Sequence, residues 1–303
     1  DTIQQRLSHL PNIIKRFRQS VLAAAVSGKL TEQWRSENDS KNISGLLDEI
    51  QDKRITLKRS KELKASFGKF EEVSSIFEGS PDTWKWCCFD QISKNENNAL
   101  KAGPFGSALK KNDSTDAGYR VYGQEQVIAG DESLISYYVG EDKYQQLKAC
   151  SVQPGDILIS LVGTIGKILI LSKNVEEGII NPRLVKLSLH SKISRNYIKY
   201  YLDSIYAKDF FRTFSHGGTM DILNLGILKK LPIALPPIQE QTEIVRLVEQ
   251  YFALADTLEK NLKNAKQRGD NLTQSILAKA FKGELVPQDP SDEPADKLLA
   301  RIK

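Results

Sequence analysis

The segment most like a catalytic motif is Gly-Thr-Ile-Gly-Lys at residues 163–167. It is similar to the end of a phosphate-binding loop, in which glycines let backbone N–H groups approach a nucleotide and a Ser or Thr after the lysine binds Mg²⁺. Leu161, however, stands where that loop has its first glycine, and Ile168 follows the lysine. The segment therefore predicts a tight turn between two strands instead of a nucleotide site.

The acidic and nucleophilic residues do not form a coherent catalytic set. Asp131, Glu141 and Lys143 are residue types that a metal-dependent nuclease uses, but their spacing is loose, and we rank this interpretation last. The histidines at positions 9, 190 and 216 stand apart, without the spacing of metal ligands. We accordingly predict a chain that is not an enzyme by itself and holds no metal or cofactor of its own.

A basic stretch suggests a different activity. Between Asn97 and Asn112 there is no acidic residue, and Lys101, Lys110 and Lys111 surround a Gly-Pro-Phe-Gly turn. On this stretch alone a solvated loop is the simpler interpretation. The net charge of +5 is also too small to identify a nucleic-acid partner without further observations.

Self-comparison reveals an internal repeat that surrounds the middle of the chain. Residues 1–30 align without a gap on residues 256–285, and 10 of the 30 positions are identical. Both copies contain the pattern Gln-Ser-x-Leu-Ala-x-Ala-x-x-Gly-x-Leu. A second similarity follows, because residues 46–50 resemble residues 298–302. Repeated elements on both sides predict a symmetric helical frame around one central region.

Both copies have the apolar spacing of long helices. After Pro236-Pro237, apolar residues recur at steps of mostly three and four until Gly283, the spacing by which helices pair as a coiled coil. Pro11 predicts a kink or a late start in the first copy. We expect the two helices to pack antiparallel as a spacer; a helical hairpin within one globule is the alternative. The predicted contact residues are Leu7, Leu10, Phe17, Val21, Val248, Phe252, Leu262, Leu272 and Ile276.

The central region differs in composition from its flanks. Short β-branched and aromatic runs alternate with turn residues, as in Tyr119–Val121, Ile157–Leu161, Lys167–Leu171 and Leu184–Leu189, and 194–214 has helical spacing. The sequence thus predicts an α+β fold, in which one globular mixed α/β domain is flanked by long helices. The predicted divisions are a first helix at 1–35, a polar linker with one short helix at 36–83, the globular domain at 84–235, the second long helix at 236–286, and a tail at 287–303.

Several classes of protein are excluded by composition. No apolar run approaches the roughly 18 residues of a membrane helix, and the polar N-terminus is not a signal peptide. Three cysteines cannot form a disulfide framework or a Cys₄ zinc site, which favours a cytoplasmic location. The only methionine is Met220, so we expect a fragment, a processed chain or part of a longer one.

Taken together, these segments closely resemble the specificity subunits of type I restriction–modification enzymes. The most specific match is the Leu-Pro-Pro-x-x-Glu-Gln entry to the second long helix. The resemblance covers nearly the whole chain and rests on LPIALPPIQEQTEIV at 231–245, QSILAKAFKGELVPQ at 274–288, LPNIIKRFRQSVLAAAVSGKLTEQWR at 10–35, GPFGSALKK at 103–111 and GDILISLVGTIGK at 155–167.

The resemblance implies a non-catalytic subunit that reads double-stranded DNA through target-recognition domains, each recognising one half of a split site. It implies that the helices set the gap between the halves and dock two modification (methyltransferase) subunits, with a restriction subunit as a further partner. S-adenosylmethionine, ATP and Mg²⁺ are then expected only on those partners. This chain departs from the pattern, since it has one recognition domain and begins within a helix. It resembles a C-terminal half, or a half-length subunit that pairs with a second copy of itself.

If the middle domain reads DNA, its loops should supply the contacts. Arg and Lys suit phosphates and guanine, Asn and Gln suit adenine, and Thr or an aromatic ring suits the thymine methyl group. The candidates are Lys101, Ser107, Lys110, Lys111, Tyr119, Arg120, Tyr122, Gln124, Thr164, Lys167, Arg183, His216, Thr219 and Asn224. The alternative function is a coiled-coil adaptor whose middle domain binds protein or RNA.

Overall fold

The computed structural model describes residues 2–38, 43–64, 73–135, 137–215, 223–287, 289, 291 and 293–302. The chain divides into two compact units, one made of residues 1–18 with 252–303 and the other of residues 19–251. The helices are α1 (Thr2–Val26), α2 (Glu32–Glu37), α3 (Ser44–Arg59), α4 (Phe89–Ile92), α5 (Gln124–Ala129), α6 (Glu141–Gln146), α7 (Arg195–Asp203), α8 (Ile205–Ser215), α9 (Leu225–Lys230), α10 (Ile238–Phe281) and α11 (Ala295–Ile302). The strands are β1 (Lys85–Cys87), β2 (Leu100–Ala102), β3 (Ser114–Thr115), β4 (Tyr119–Tyr122), β5 (Tyr137–Val139), β6 (Ile157–Ser160), β7 (Ile168–Ile170), β8 (Gly178–Ile180), β9 (Leu184–Leu187) and β10 (Ile233–Leu235).

Two four-stranded sheets form the core of the larger unit. One has the order β2-β9-β6-β7 and is antiparallel, and the other has the order β3-β5-β4-β8, with β4 and β8 parallel. All four residues of β6 are buried, which explains why its sequence is a continuous apolar run instead of an alternating one. One apolar cluster joins the two sheets and includes Val121, Leu158 and Ile179. The predicted mixture of helix and sheet is confirmed.

Most predicted elements are present, with two differences in the larger unit. The four predicted strands appear as β4, β6, β7 and β9. The helical segment 194–214 is divided at Ser204 into α7 and α8, because Ser204 adopts an extended conformation. The sequence did not reveal β1 and β10, which pair antiparallel from Lys85 opposite Leu235 to Cys87 opposite Ile233. This small sheet brings together the two ends of the region between them.

A buried carboxylate fixes the start of α10 within the larger unit. The side chain of Glu240 is fully buried and accepts hydrogen bonds from Thr31 Oγ1 at 2.7 Å and Trp84 Nε1 at 2.8 Å. Arg35 Nη1 also donates to it, at 2.5 Å. The next residue, Gln241, accepts from Ser194 N at 2.8 Å and donates to the Pro236 carbonyl at 2.9 Å. The Leu-Pro-Pro-x-x-Glu-Gln motif is thus the point where several elements of the unit are joined.

In the smaller unit, the start of α1 packs on the middle of α10. Leu7, Ile14 and Phe17 form an apolar cluster with Ala255 and Leu262. Beside the cluster, the Arg18 guanidinium pairs with the carboxylates of Asp256 at 2.7 Å and Glu259 at 3.2 Å, and it lies 5.2 Å from the centre of the Phe252 ring.

Some predicted helix contacts take no part in this cluster. Leu10, Leu272 and Ile276 are exposed, by 37%, 62% and 46%, so the described part of this chain leaves them largely uncovered. Val21 and Val248 are buried, but both belong to the larger unit.

The ends of the long helices were predicted with mixed success. α1 begins at Thr2 and continues through Pro11, so the alternative of a late start was wrong. α10 begins directly after Pro237 and ends two residues before Gly283, which takes a left-handed φ of 71°. Among the described helices, none has the length and apolarity needed to cross a membrane.

Removing the Glu240 carboxylate should weaken the larger unit. Glu240→Ala leaves the Arg35 charge, the Thr31 hydroxyl and the Trp84 indole N–H without their acceptor, so we expect the free energy of unfolding to fall by about 3 kcal/mol. Urea denaturation measures this loss. Glu249→Ala, at an exposed position of the same helix, should change it by less than about 0.5 kcal/mol. Equal effects of the two variants would contradict the structural role of Glu240.

Truncating a residue of the helix cluster should loosen the smaller unit. Leu262→Ala opens a cavity at a residue that is 9% exposed, and we expect a loss of about 2 kcal/mol. Hydrogen exchange of the amides at 7–18 reports on this local packing. Leu272→Ala is the matched control, since that leucine is 62% exposed. If the amides at 7–18 are equally protected from exchange in the two variants, the cluster does not stabilise the helix pair.

Candidate nucleic-acid interface

Five loops of the larger unit meet at one end of its strands. Leu161 N donates to the Arg183 carbonyl at 2.9 Å, and Leu223 N donates to the Leu161 carbonyl at 2.8 Å. Gly103 N donates to the Leu184 carbonyl at 2.9 Å. Two further bonds, from Asn181 N to the Tyr122 carbonyl and from Gln124 Nε2 to the Val162 carbonyl, complete the set. We call residues 103–107, 123–124, 161–167, 181–183 and 223–224 the loop cluster.

Gly103 and Asn181 account for how closely two of these loops approach. A Cβ atom at Gly103 would lie 1.9 Å from the Asn181 carbonyl oxygen, so only glycine fits there. The Asn181 side chain accepts a hydrogen bond from Arg183 N at 2.9 Å, which closes an Asx turn around Pro182. This turn leaves the Arg183 side chain exposed.

The Gly-Thr-Ile-Gly-Lys segment is the hairpin between β6 and β7, as predicted. Ile159 of β6 lies opposite Ile168 of β7. Inside the turn, Ser160 Oγ donates to the Thr164 carbonyl at 2.5 Å and accepts from Lys167 N at 2.9 Å. The serine therefore ties the turn together from within, and the side chains of Thr164 and Lys167 are exposed on its outside.

The loop that follows β2 is fastened by an ion pair. Asp113 accepts from Lys110 N at 2.6 Å and pairs with Lys143 Nζ at 3.2 Å. Lys143 Nζ also donates to the Ala108 carbonyl at 3.3 Å. The hydrogen bond from Lys110 N, with the nearby lysine charge, lowers the pKa of Asp113. The carboxylate consequently stays ionised and holds a loop whose two lysine side chains, at 110 and 111, face solvent.

About half of the predicted DNA-contact residues have exposed side chains. They are Ser107, Lys110, Lys111, Thr164, Lys167, Arg183 and Asn224. Asn224 also accepts a hydrogen bond from Ile227 N at 3.0 Å and so caps α9. His216 and Thr219 lie outside the described residues.

The side chains of Arg120 and Tyr122 are buried and form hydrogen bonds within the larger unit. The Arg120 side chain donates to Glu176 at 3.0 Å and to the Leu134 carbonyl at 2.6 Å, and its residue is only 3% exposed. Tyr122 is fully buried, donates to the Glu176 carbonyl at 2.8 Å, and has a pKa raised to about 12 by burial. We therefore withdraw both as base-contact candidates, because both side chains are buried and bonded to groups within the unit.

Gln124 also serves the fold. It is 9% exposed, its Nε2 donates to the Val162 carbonyl at 2.5 Å, and its Oε1 is buried. Contact with adenine requires both amide atoms to face the base, so Gln124 positions the turn at 161–167 instead. This corrects the predicted role of the residue.

Tyr119 and Lys101 are half-buried. The Tyr119 ring stacks on Tyr144 with centres 3.8 Å apart, and its hydroxyl donates to Glu141, a bond that raises the pKa of Tyr119. Lys101 lies within β2, opposite Lys186 of β9, and not on the loop where it was expected.

The three residues considered for a metal nuclease have separate partners. Asp131 accepts from Ser133, Glu141 from Tyr119, and Lys143 pairs with Asp113. Among the residues that the structure describes, no group of three or more His, Cys, Asp or Glu side chains is placed to hold a metal ion.

Sequence reasoning missed two residues of the loop cluster. Asn181 shapes the turn before Arg183, and the Asn-Pro dipeptide was noted only as a turn. Phe105 is 85% exposed, although its Gly-Pro-Phe-Gly setting had been recognised as a turn in a basic stretch. Both signals were thus present in the sequence, as turn residues beside basic ones.

The sequence matches a known protein family. A family model described as the type I restriction modification DNA specificity domain matches residues 104–267, which is more than half of the chain. The chain belongs to the type I restriction–modification specificity family. The resemblance noted in the sequence is therefore confirmed.

Two relatives of this specificity family show how much of a subunit the chain spans. It is 32% identical over 323 residues to the EcoKI specificity subunit of Escherichia coli strain K12, and 33% identical over 313 residues to the EcoBI specificity subunit of Escherichia coli. Both alignments include the whole chain but only 58% and 59% of the relatives. The chain thus spans less than two thirds of their length.

The fold also has a counterpart among solved structures. A chain from a type I R-M system, studied for its complex assembly and conformational transition, superposes with a TM-score of 0.54 and 18% identity. The match covers 88% of this specificity-family chain and 60% of the other chain. The similarity extends to the overall fold.

Replacing Arg120 should lower the stability of the larger unit. Arg120→Ala removes hydrogen bonds to Glu176 and to the Leu134 carbonyl, and we expect the free energy of unfolding to fall by about 2 kcal/mol. Lys167→Ala, at an exposed position, should change it by less than about 0.5 kcal/mol. Urea denaturation compares the two variants, and an unaffected Arg120→Ala protein would show that the residue has no structural role.

Proposed function

We propose that the chain reads one half of a split double-stranded DNA site with its loop cluster, and that it is not catalytic by itself. Specificity-family membership supports the class of function, and the meeting of five loops at one end of the strands supports the location. Arg183 and Thr164 present exposed hydrogen-bonding groups there, and Asn224 is exposed while its Oδ1 caps α9. Arg, Thr and Asn side chains are suited to base edges in the major groove.

The exposed lysines are suited to a different role. Lys110 and Lys111 extend from the loop that Asp113 and Lys143 hold. Flexible ammonium groups on a fixed loop suit phosphate oxygens, which set affinity and orientation without selecting a sequence. Base selection would then come from the more tightly framed residues at 164, 183 and 224.

We propose in addition that α1 and α10 form an antiparallel coiled-coil spacer that docks two modification subunits. The cluster of Leu7, Ile14 and Phe17 with Ala255 and Leu262 supports the pairing. Leu272 and Ile276 remain exposed in this chain, and the internal repeat relates this part of α10 to α1. Their partner would be a corresponding helix of a second recognition half or of a second copy of the chain.

Neutralising the two loop lysines should weaken DNA binding without changing sequence preference. For Lys110→Ala/Lys111→Ala we expect the slope of log K against log salt to become shallower by about one to two units, since each phosphate contact contributes about 0.9. The measurement is fluorescence anisotropy of a labelled duplex at several salt concentrations, with the chain in complex with its modification subunits.

The matched control is Lys53→Ala/Arg59→Ala on α3. Arg54 of this helix donates hydrogen bonds to the Asp90 and Ser93 carbonyls. Ser93 in turn forms an isolated β-bridge with Leu189, just after the C-terminal end of β9. The loop cluster lies at the other end of β9, so the control should leave the salt slope unchanged. A slope reduced by the control and not by the loop variant would place DNA on the opposite face.

A further inference from the structure

Phe105 presents an exposed aromatic ring at the loop cluster. It is 85% exposed, the highest value for a large apolar side chain among the described residues of the larger unit. Single exposed apolar residues are common on protein surfaces, so exposure alone identifies no function. The way the loop holds this residue, and the charges around it, distinguish it from the others.

The backbone on both sides of Phe105 is fixed. On one side, Gly103 is pressed against the Asn181 carbonyl and Pro104 is buried. On the other side, Ala108 N donates to the Phe105 carbonyl at 3.2 Å. The ring therefore extends from an anchored loop, and ordering that loop against a partner would cost little conformational entropy.

The surroundings of Phe105 favour a polyanion over an apolar protein surface. No acidic residue occurs between Asn97 and Asn112. The exposed Lys110 and Lys111 follow Phe105 closely in the sequence, and the exposed Arg183 belongs to the Asn181 turn, which packs against Gly103. Protein docking surfaces gather several apolar side chains at their centre. The other exposed residues between 105 and 111 are glycine, serine, alanine and lysine, which do not form such a centre.

We propose that the Phe105 ring contacts the methyl group of a thymine in the DNA half-site; the inference rests on the proposed function. A phenylalanine ring has no hydrogen bond to offer, and the C5 methyl group of thymine is the apolar group that the major groove displays. Phe105 would thus select thymine by apolar contact, beside residues that select bases by hydrogen bonds.

Replacing thymine with deoxyuridine tests this contact, because it removes only the methyl group. Each thymine of the half-site and its flanks is replaced in turn, and the affinity of the reconstituted complex is measured for the unchanged chain and for Phe105→Ala. We expect one replacement to weaken binding by the unchanged chain about fourfold, the value of burying one methyl-sized group. The same replacement should leave binding by Phe105→Ala unchanged.

Two variants serve as controls. Phe105→Leu keeps an apolar side chain and should retain part of the sensitivity to the methyl group. Ile135→Ala removes another exposed apolar side chain, 63% exposed, from a loop that follows Asp131 and Glu132. It should bind every duplex as the unchanged chain does.

Several outcomes would overturn the inference. If Phe105→Ala lowers the affinity for all duplexes equally, a thymine contact is excluded. If the fluorescence of a 2-aminopurine base in the duplex shows unstacking with the unchanged chain but not with Phe105→Ala, the ring inserts as a wedge between base pairs instead. Weaker capture of the modification subunits by Phe105→Ala would make the ring a protein contact. In each case, a retained effect of Lys110→Ala/Lys111→Ala would leave the proposed function standing, whereas its absence would contradict that function itself.

Discussion

The buried carboxylate of Glu240 is the interaction on which the larger unit depends. A charge removed from water is tolerated only when it is paired and hydrogen-bonded, and this one has a guanidinium, a hydroxyl and an indole N–H as partners. Those partners come from residues 31, 35 and 84, far from Glu240 in the sequence. One side chain therefore joins the segment after α1, the start of the sheet region and the first turn of α10.

This junction is compatible with the position of the loop cluster. β1 and β10 close the ends of the region between residues 85 and 235, so the remaining strands and loops form a continuous body between them. Within that body, buried polar side chains such as Arg120 and Gln124 connect loops, while the side chains of Arg183, Thr164 and Lys167 are exposed. Polar residues of similar chemistry thus have two roles, set by burial.

The sequence was sufficient to predict the elements that depend on local pattern. Repeats and apolar spacing located both long helices, β-branched runs located four strands, and the defects of the phosphate-loop pattern correctly indicated a hairpin. It was not sufficient where tertiary context decides. The sequence suggests that Arg120 faces outward and contacts a base. Its strand β4, however, lies between β5 and β8, and the Arg120 side chain is buried and bonded to Glu176. Leu272 has core spacing, yet in this chain nothing described covers it.

The proposed location of the DNA-reading surface is tested most directly by site-specific photocrosslinking. A photoreactive amino acid at position 164 or 183, on the loop cluster, or at position 53, on α3, is irradiated in the reconstituted complex with a duplex that carries the recognition site. We predict crosslinks to bases of one half-site from 164 and 183, and none from 53. Crosslinks from 53 alone would contradict the assignment of the loop cluster as the DNA-reading surface.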